Sequence, residues 1–242
     1  MVVLLIVATL LAGLSMPLAA QVQLRRHEET RRLLEDAREA LLGFAAANGR
    51  LPCPASARSR GEESFAPGGD AANGSCERFN DGFLPAAALG LSPLDDEGYL
   101  RDAWGTRANR VRYAVFGGTV PVNGVANPFT RANGAQAATL AGLGAAPHFL
   151  YICSSGAPVS GATCGPASNQ LTRRAVFVLL SLGADATAVP APGSDAARNL
   201  DSDGVFVWHE PTAGPANAFD DVLTWMPVNV LASRMMAAGR LP

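Results

Sequence analysis

The stretch MVVLLIVATLLAGLSMPLAA, residues Met1 to Ala20, decides how this chain is organised. It contains no charged side chain, and apolar residues occur on all sides of the helix that it would form. At a rise of about 1.5 Å per residue, a helix of about twenty residues can cross the roughly 30 Å hydrocarbon layer of a bilayer. We therefore expect a transmembrane or polymerisation helix over residues 1–20, with Pro17 bending it.

A cleaved secretory signal is the alternative interpretation of the same stretch. Such a signal needs a basic segment at its start and a small-residue cleavage site at its end. The stretch begins without Lys or Arg, and Leu18-Ala19-Ala20 is only a fair cleavage site. A retained helix is therefore the preferred interpretation.

Residues 21–49 are expected to continue as an amphipathic helix. Apolar residues recur mostly at helical spacing, at Leu24, Leu34, Ala37, Leu41, Phe44 and Ala45. Oppositely charged pairs four residues apart, such as Glu28 and Arg32, support the helix from its other faces. Asn48-Gly49 provides a left-handed stop, and the apolar stripe predicts a helix lying against a sheet.

Residues 50–242 are expected to form one globular head. The region up to Gly90 is rich in turn residues, and five strand candidates follow: Val111–Phe116, Phe149–Cys153, Ala175–Leu182, Val205–His209 and Val222–Met226. A short helix from about Asn229 to Ala238 closes the chain. The pattern predicts an α+β fold in which an antiparallel sheet packs on the C-terminal half of a long bent helix.

The charge of the chain argues against nucleic-acid binding. The net charge is −2 and the isoelectric point is about 5.9, so there is no general electrostatic attraction to a polyanion. One small basic cluster, near Asp102, is expected to be a solvated surface with local ion pairs; it consists of Arg101, Arg107, Arg110 and Arg112.

The four cysteines follow the apolar stretch and predict two disulfides in an oxidising compartment. Sequence order favours Cys53–Cys76 and Cys153–Cys164, although four cysteines allow three pairings. Four free thiols and a zinc site are the alternatives. Zinc is disfavoured because no two of the cysteines are two residues apart.

Three ordered features resemble the type IV pilin-like proteins, and most of all the pseudopilins of type II secretion. The first is the apolar head with a late proline, Pro17, running into an amphipathic helix. The second is Leu84-Pro85 followed by Asp102-Ala103-Trp104-Gly105 and then Val111-Arg112-Tyr113, similar to the D-x-W-G…Y segment of the major pseudopilin. The third is the stretch 180–185, LSLGAD, followed by 219–225, FDDVLTW, which resembles the ending of that family.

The resemblance implies a structural subunit, major or minor, of a type II secretion pseudopilus or a type IV pilus-like filament. Such a subunit carries prepilin-type N-terminal methylation, assembles through its apolar helix and is not an enzyme. It implies as partners other copies of the chain, other pilin-like subunits, the inner-membrane assembly platform and membrane lipid, with no nucleic acid. The expected location is the inner membrane, with a single pass and a periplasmic head, until the subunit enters the filament.

The chain departs from the family pattern at its start and in two loops. The family's basic leader, its Gly-Phe junction and its glutamate do not precede Met1, so we expect that the sequence starts late. The loop between Asp185 and Asp220 is longer than in the major pseudopilin, and the Cys53–Cys76 insert is extra. These departures keep open a minor or lineage-specific subunit. An exported monomeric binding protein and a membrane-anchored periplasmic enzyme remain the rival interpretations.

The resemblance also implies a calcium ion in the C-terminal loop. Calcium takes six to eight oxygen ligands, many of them carboxylates. By the family match, Asp185 with Asp220, Asp221 or both are the favoured ligands, and Asp201 and Asp203 are further candidates. Asp201-Ser202-Asp203-Gly204 is equally an ordinary turn sequence.

The remaining candidate side chains have structural interpretations. Trp104, Trp208 and Trp225 lie in or beside strand-like or motif segments and are expected to be core residues. The histidines, at positions 27, 148 and 209, match no metal-ligand spacing. No catalytic constellation and no phosphate-binding loop is found in the sequence.

Overall fold

The computed structural model describes residues 2–118, 120–214 and 217–241, with side chains from Ala20 onward apart from residues 213, 214 and 217. It begins with helix α1 (Val2–Asn48). The described strands are β1 (Gly82–Phe83), β2 (Arg112–Val115), β3 (Leu150–Cys153), β4 (Gln170–Ser181), β5 (Val205–Val207), β6 (Thr212–Gly214), β7 (Asn217–Phe219) and β8 (Val222–Pro227). Between and after them lie the short helices α2 (Gly134–Ala138), α3 (Leu140–Ala145), α4 (Asp195–Arg198) and α5 (Val228–Ala237).

One stripe of α1 forms the base of the hydrophobic core. Its buried residues are three or four positions apart and therefore share one face of the helix: Thr30, Leu34, Ala37, Leu41 and Ala45. This face packs against β4 and β8. The other faces carry exposed ion pairs one turn apart, Arg25–Glu29 at 2.9 Å and Arg32–Glu28 at 3.1 Å. The amphipathic pattern thus places α1 on the sheet.

The end of α1 is held by a left-handed glycine and by the last residues of the chain. Gly49 adopts φ +68°, and its N–H donates to the Ala45 carbonyl over 2.8 Å. Arg240 Nε donates to the Ala46 carbonyl over 2.8 Å, and its Nη2 donates to the Ala47 carbonyl. A guanidinium at the negative end of the helix dipole is favourable, and here it also ties the C-terminus to α1.

Strand β4 lies at the centre of the main sheet. It pairs antiparallel with β2, β3 and β8, and β1 extends the sheet beyond β2. Residues 175–181 of β4 are fully buried on both faces, as a continuous run of apolar and small residues requires. A separate two-stranded ribbon is formed by β6 and β7.

The sheet is mixed, which corrects the predicted antiparallel sheet. Strand β3 pairs with β5 in parallel, with Tyr151 opposite Val205 and Cys153 opposite Val207. A parallel pair needs a long crossover connection. Residues 154–204, which include β4 and α4, provide it. Local strand patterns carry no information on the direction in which a distant strand returns.

The side chain of Asn199 pairs with β5 in the way that a neighbouring strand would. The Val207 N–H donates to Asn199 Oδ1 over 2.8 Å, and Asn199 Nδ2 donates to the Val207 carbonyl over 3.1 Å. An amide side chain thereby satisfies backbone groups that would otherwise be open to another chain.

The predicted location of the chain needs correction. Apart from Ala20, the side chains of the proposed spanning segment, residues 1–20, lie outside the described part. No helix in the part described is long and apolar enough to cross a membrane. The prediction of a single-pass inner-membrane protein is therefore wrong.

The α+β class and the amphipathic helix against a sheet are confirmed at that level of detail. The bend at Pro17 falls on residues whose side chains are not described and stays a prediction. The strand candidates match β2, β3, β4, β5 and β8 in order, and the closing helix matches α5. Helices α2, α3 and α4 and strands β1, β6 and β7 were not predicted, because their short Ala- and Gly-rich or polar segments give weak periodicity.

Replacing Leu41 by Ala is expected to destabilise the protein by about 2–5 kcal/mol, because it leaves a cavity where α1 meets the sheet. Leu24→Ala is the matched control on the same helix: Leu24 is 72% exposed, so a change within about 0.5 kcal/mol is expected. Chemical denaturation of both variants measures the difference. Equal effects at the two positions would contradict the described packing of α1.

Candidate functional site

The motif segments that carry the family resemblance meet at one place, which we call the motif junction. It consists of Asp102–Gly105, Asn109, Ser181–Asp185 and Asp220–Asp221, together with Gln23 and Thr30 of α1. Asp102 follows an isolated bridge between Arg101 and Arg110, Ser181 ends β4, and Asp221 directly precedes β8. Segments that are far apart in sequence are thus joined beside α1.

Asp102 is the centre of the junction. Its carboxylate is buried, with Oδ1 accepting from the Trp104 N–H over 2.9 Å and Oδ2 accepting from Asn109 Nδ2 over 3.0 Å and from the Ser181 hydroxyl. Asn109 Nδ2 also donates to the Gly183 carbonyl over 2.6 Å. Burial raises the pKa of Asp102, and the hydrogen bonds from Ser181, Trp104 and Asn109 act in the opposite direction.

Two hydrogen bonds attach α1 to the junction. The Ala103 N–H donates to Thr30 Oγ1 over 3.2 Å, and Trp104 Nε1 donates to Gln23 Oε1 over 3.0 Å. Sequence reasoning missed Thr30, although the signal was present. Thr30 lies four residues before Leu34, on the apolar stripe of α1, where a polar side chain needs a partner.

Asp185, Asp220 and Asp221, the favoured calcium ligands, lie together on one side of the junction. Asp220 Oδ2 accepts from the Ala184 N–H and, over 3.3 Å, from the Asp185 N–H, while its buried Oδ1 has no hydrogen-bond partner. Burial, followed by the charge of Asp220, raises the pKa of Asp185 to about 6. The three carboxylates therefore form a site of unfavourable negative charge.

Asp221 is the most deeply buried of these carboxylates. Its Oδ2 accepts from Asn199 Nδ2 over 2.7 Å, and its burial raises its pKa to about 7. The charges of Asp220 and Asp185 act in the same direction, whereas Arg112 acts against them. Asn199, which also pairs with β5, thus links this acidic site to the sheet.

Asp201 and Asp203 form a turn apart from the other three. Asp201 Oδ1 accepts from the Asp203 N–H over 3.3 Å, and Asp203 Oδ1 accepts from the Val205 N–H over 2.7 Å. Arg198 lies 3.5 Å from Asp201. Burial raises the pKa of Asp203 to about 6, with Asp201 adding to the effect. The structure therefore favours the turn interpretation of this segment.

Calcium binding remains a prediction. Among the described residues, no three His, Cys, Asp or Glu side chains lie close enough to hold a metal ion. Asp185 and Asp220 nevertheless have the right chemistry, because the buried Asp220 Oδ1 without a donor is an oxygen that a cation would satisfy. Backbone carbonyls would have to supply most of the remaining ligands.

Both predicted disulfides are confirmed: Cys53 is bonded to Cys76, and Cys153 to Cys164. The first closes a loop that contains little regular structure. The second lies in a small hydrophobic cluster beside β3 and β5, with Tyr151, Val159, Val205 and Val207. None of the described cysteines is a free thiol.

The basic cluster forms local ion pairs, as predicted, and their partners are Asp95 and Glu97. Asp95 contacts Arg101 at 3.2 Å and Arg110 at 2.8 Å, and Glu97 contacts Arg107 at 2.8 Å. Arg110 is buried rather than solvated, and its guanidinium stacks on Tyr99 at 4.2 Å. Arg112 stands apart from these pairs, with a buried Nε that has no hydrogen-bond partner.

The tryptophans pack against the core but are only half-buried. Trp208 and Trp225 meet edge to face at 5.8 Å. Of the histidines, His209 Nε2 lies 3.0 Å from Asp195 Oδ2, a contact that sequence reasoning missed. Burial lowers the pKa of His27, and the neighbouring Arg31 adds to this effect.

Asp102→Ala is expected to lower the free energy of unfolding by about 2–4 kcal/mol, because it removes the acceptor of the Ser181 hydroxyl and of the Trp104 N–H and one of the two acceptors of Asn109 Nδ2. Ser181→Ala removes one donor and should cost less, about 1 kcal/mol. Unfolding of both single variants and of the double variant measures their coupling, expected between about 0.5 and 3 kcal/mol. Additive effects would show that this hydrogen bond contributes no coupling.

The raised pKa of Asp221 predicts that stability falls as pH rises. The unfolded chain ionises this group near pH 4, so stabilisation is fully present below that pH and is lost as pH rises through about 7. Between about pH 5 and about pH 8.5 in excess chelator, the ionisation of Asp221 should lower the free energy of unfolding by at most about 3 kcal/mol. Asp221→Asn keeps an acceptor for Asn199 and should flatten the curve; parallel curves for the two proteins would contradict the burial argument.

The chain was compared with known proteins in three ways. No protein-family model, no curated protein and no solved structure matches it.

Proposed function

We propose that this protein is a structural subunit, major or minor, of a type II secretion pseudopilus or a type IV pilus-like filament. In this proposal, the subunit assembles with copies of itself and with other pilin-like subunits through the N-terminal part of α1. Residues 50–242 form a head that carries no catalytic role and presents its loops to partners.

The motif junction is the observation that carries the proposal. The D-A-W-G and S-L-G-A-D segments, on which the resemblance rests, join each other through Asp102 and Ser181 and join α1 through Thr30 and Gln23. Such a junction fixes the position of the helix relative to the head. A subunit that is pulled and packed through its helix requires this fixed position. A coincidental match of short motifs gives no reason for the segments to meet.

The exposure of α1 supports the same proposal. From Thr30 onward the helix buries a stripe on the head, whereas the side chains of Ala20–Arg25 are exposed and Gln23 alone is described as hydrogen-bonded to the head, through Trp104. Val22 and Leu24 are 42% and 72% exposed. The start of the described part of α1 is therefore accessible to a neighbouring chain, as assembly through this helix requires.

Assembly of the purified full chain tests the proposal. We expect sedimentation velocity and electron microscopy to show concentration-dependent, elongated assemblies, and a variant lacking residues 1–24 to remain monomeric. Near-native circular dichroism of the shortened variant is the control that its head is folded. A full chain that stays monomeric at every concentration, or a mature chain that begins at Gln21, would instead support the exported monomeric binding protein.

Calcium is the cation that we propose for the loop formed by Asp185, Asp220 and Asp221. Binding to the folded state would raise stability in proportion to the logarithm of the free calcium concentration. Excess chelator should therefore lower the melting temperature by several degrees, on the order of 1–2 kcal/mol. The Asp185→Asn variant is the control, since chelator should affect it less. An unchanged melting curve of the wild-type protein in chelator would reject the calcium site.

A further inference from the structure

His209, in the segment between β5 and β6, has an oxygen acceptor at each of its two ring nitrogens. Nδ1 lies 2.7 Å from the Glu210 carbonyl oxygen, and Nε2 lies 3.0 Å from Asp195 Oδ2. A backbone carbonyl cannot donate, so Nδ1 carries a proton. The Asp195 carboxyl is buried, and its other oxygen accepts from the Gly156 N–H. We call the contact of His209 with Asp195 and Glu210 the His209 clasp.

A neutral imidazole does not satisfy the His209 clasp. A neutral ring that donates from Nδ1 to the Glu210 carbonyl presents the lone pair of Nε2 to Asp195. The contact at Nε2 therefore needs a second proton between the ring and the carboxyl group. An imidazole is ordinarily far more basic than a carboxylate, so this proton lies on His209. The observed geometry is that of an imidazolium bound to a carboxylate.

Titratable and charged groups from several segments border His209. They are Asp195 of α4, the adjacent Glu210, Asp221 before β8, and His27 and Arg31 of α1. Burial lowers the pKa of His27, which therefore adds no charge near neutral pH, and burial raises the pKa of Asp221 to about 7. The carboxylates of Asp195 and Glu210 favour a cationic ring, whereas Arg31 opposes it. Asp195 is in direct contact with the ring and has the largest influence on its charge.

The imidazole of His209 also lies against the last residue of β7. The ring centroids of His209 and Phe219 are 4.1 Å apart and their planes differ by 29°, and Phe219 is buried. Phe219 pairs with Thr212 across the β6–β7 ribbon, and β7 contacts α4. The His209 clasp therefore lies where the ribbon meets α4.

We propose that the His209 clasp is a pH-sensitive device that holds the β6–β7 ribbon on α4. The closed clasp binds one proton more than the open one. It is therefore favoured as the pH falls, and it is weakened as the pH rises through the range in which histidines titrate. All of its groups belong to one chain, so the clasp operates in the monomer and does not depend on filament assembly.

Hydrogen exchange of the full chain, followed by mass spectrometry, tests the clasp. Labelling at about pH 5.5 and about pH 8, for times scaled to the intrinsic exchange rate, compares protection on either side of the histidine range. Peptides that cover residues 208–219 should be about threefold or more less protected at the higher pH. Peptides from residues 175–181 of β4 are the control for global opening. Equal changes in both sets of peptides, or no change in residues 208–219, would overturn the inference.

Two variants assign the pH dependence to His209. His209→Gln removes the titrating ring and should make the protection of residues 208–219 equal at the two pH values. Asp221→Asn removes the other group that titrates in this range and should leave the difference in place. A difference that persists in His209→Gln, or that disappears in Asp221→Asn, would contradict the assignment.

Asp195→Asn should reverse the sign of the pH dependence. The oxygen of its side-chain amide can still accept from the Gly156 N–H, and its nitrogen presents a donor to Nε2 of His209. A neutral imidazole then satisfies both contacts, because it donates from Nδ1 and accepts at Nε2. Residues 208–219 of this variant should be more protected at about pH 8 than at about pH 5.5. Equal protection, or greater protection at the lower pH, would overturn the clasp.

Discussion

A buried carboxylate at Asp102 is the constraint on which the arrangement of this head depends. A charge in the interior is tolerated where donors surround it, and the donors of Asp102 come from its own turn and from the end of β4. The same turn holds α1 through Ala103 and Trp104. Moving any one of these segments would leave a polar group without a partner, so the segments are fixed together.

This constraint also explains why α1 has a defined register on the sheet. An apolar stripe of Leu and Ala can slide by one helical turn at modest cost, because the repeat of the stripe is preserved. Thr30 breaks that equivalence, because its hydroxyl oxygen can accept from the Ala103 N–H in only one of these positions. A polar residue in an apolar stripe therefore selects a position that packing alone leaves open. The exposed residues that precede Thr30 in α1 therefore have a fixed position relative to the head.

Much of the fold could be predicted where the information is local. The stripe of α1, the strand patterns of β2, β3, β4, β5 and β8, and the two short-range disulfides all depend on residues close in sequence. The parallel pairing of β3 with β5 and the cover that Asn199 gives to β5 depend on where distant segments return. An asparagine in a polar loop has no pattern that distinguishes it from the other turn residues around it.

The acidic site was predicted in part for the same reason. Asp185, Asp220 and Asp221 come together because β4 and β8 are neighbours and these residues stand at the ends of the two strands. Asp201 and Asp203 are joined by hydrogen bonds within their own turn, so their arrangement depends on local geometry.

The fold leaves the buried Oδ1 of Asp220 without a hydrogen-bond partner and places the charge of Asp220 next to Asp185, whose pKa is raised. Natural sequences place such conflicts at functional sites, where a proton or a cation resolves them. Because Asp220 also accepts from the N–H of Ala184, whatever resolves this charge acts on the turn that Asn109 ties to Asp102. A chain of hydrogen bonds thus connects the acidic loop with Asp102 and, through the turn that follows Asp102, with α1.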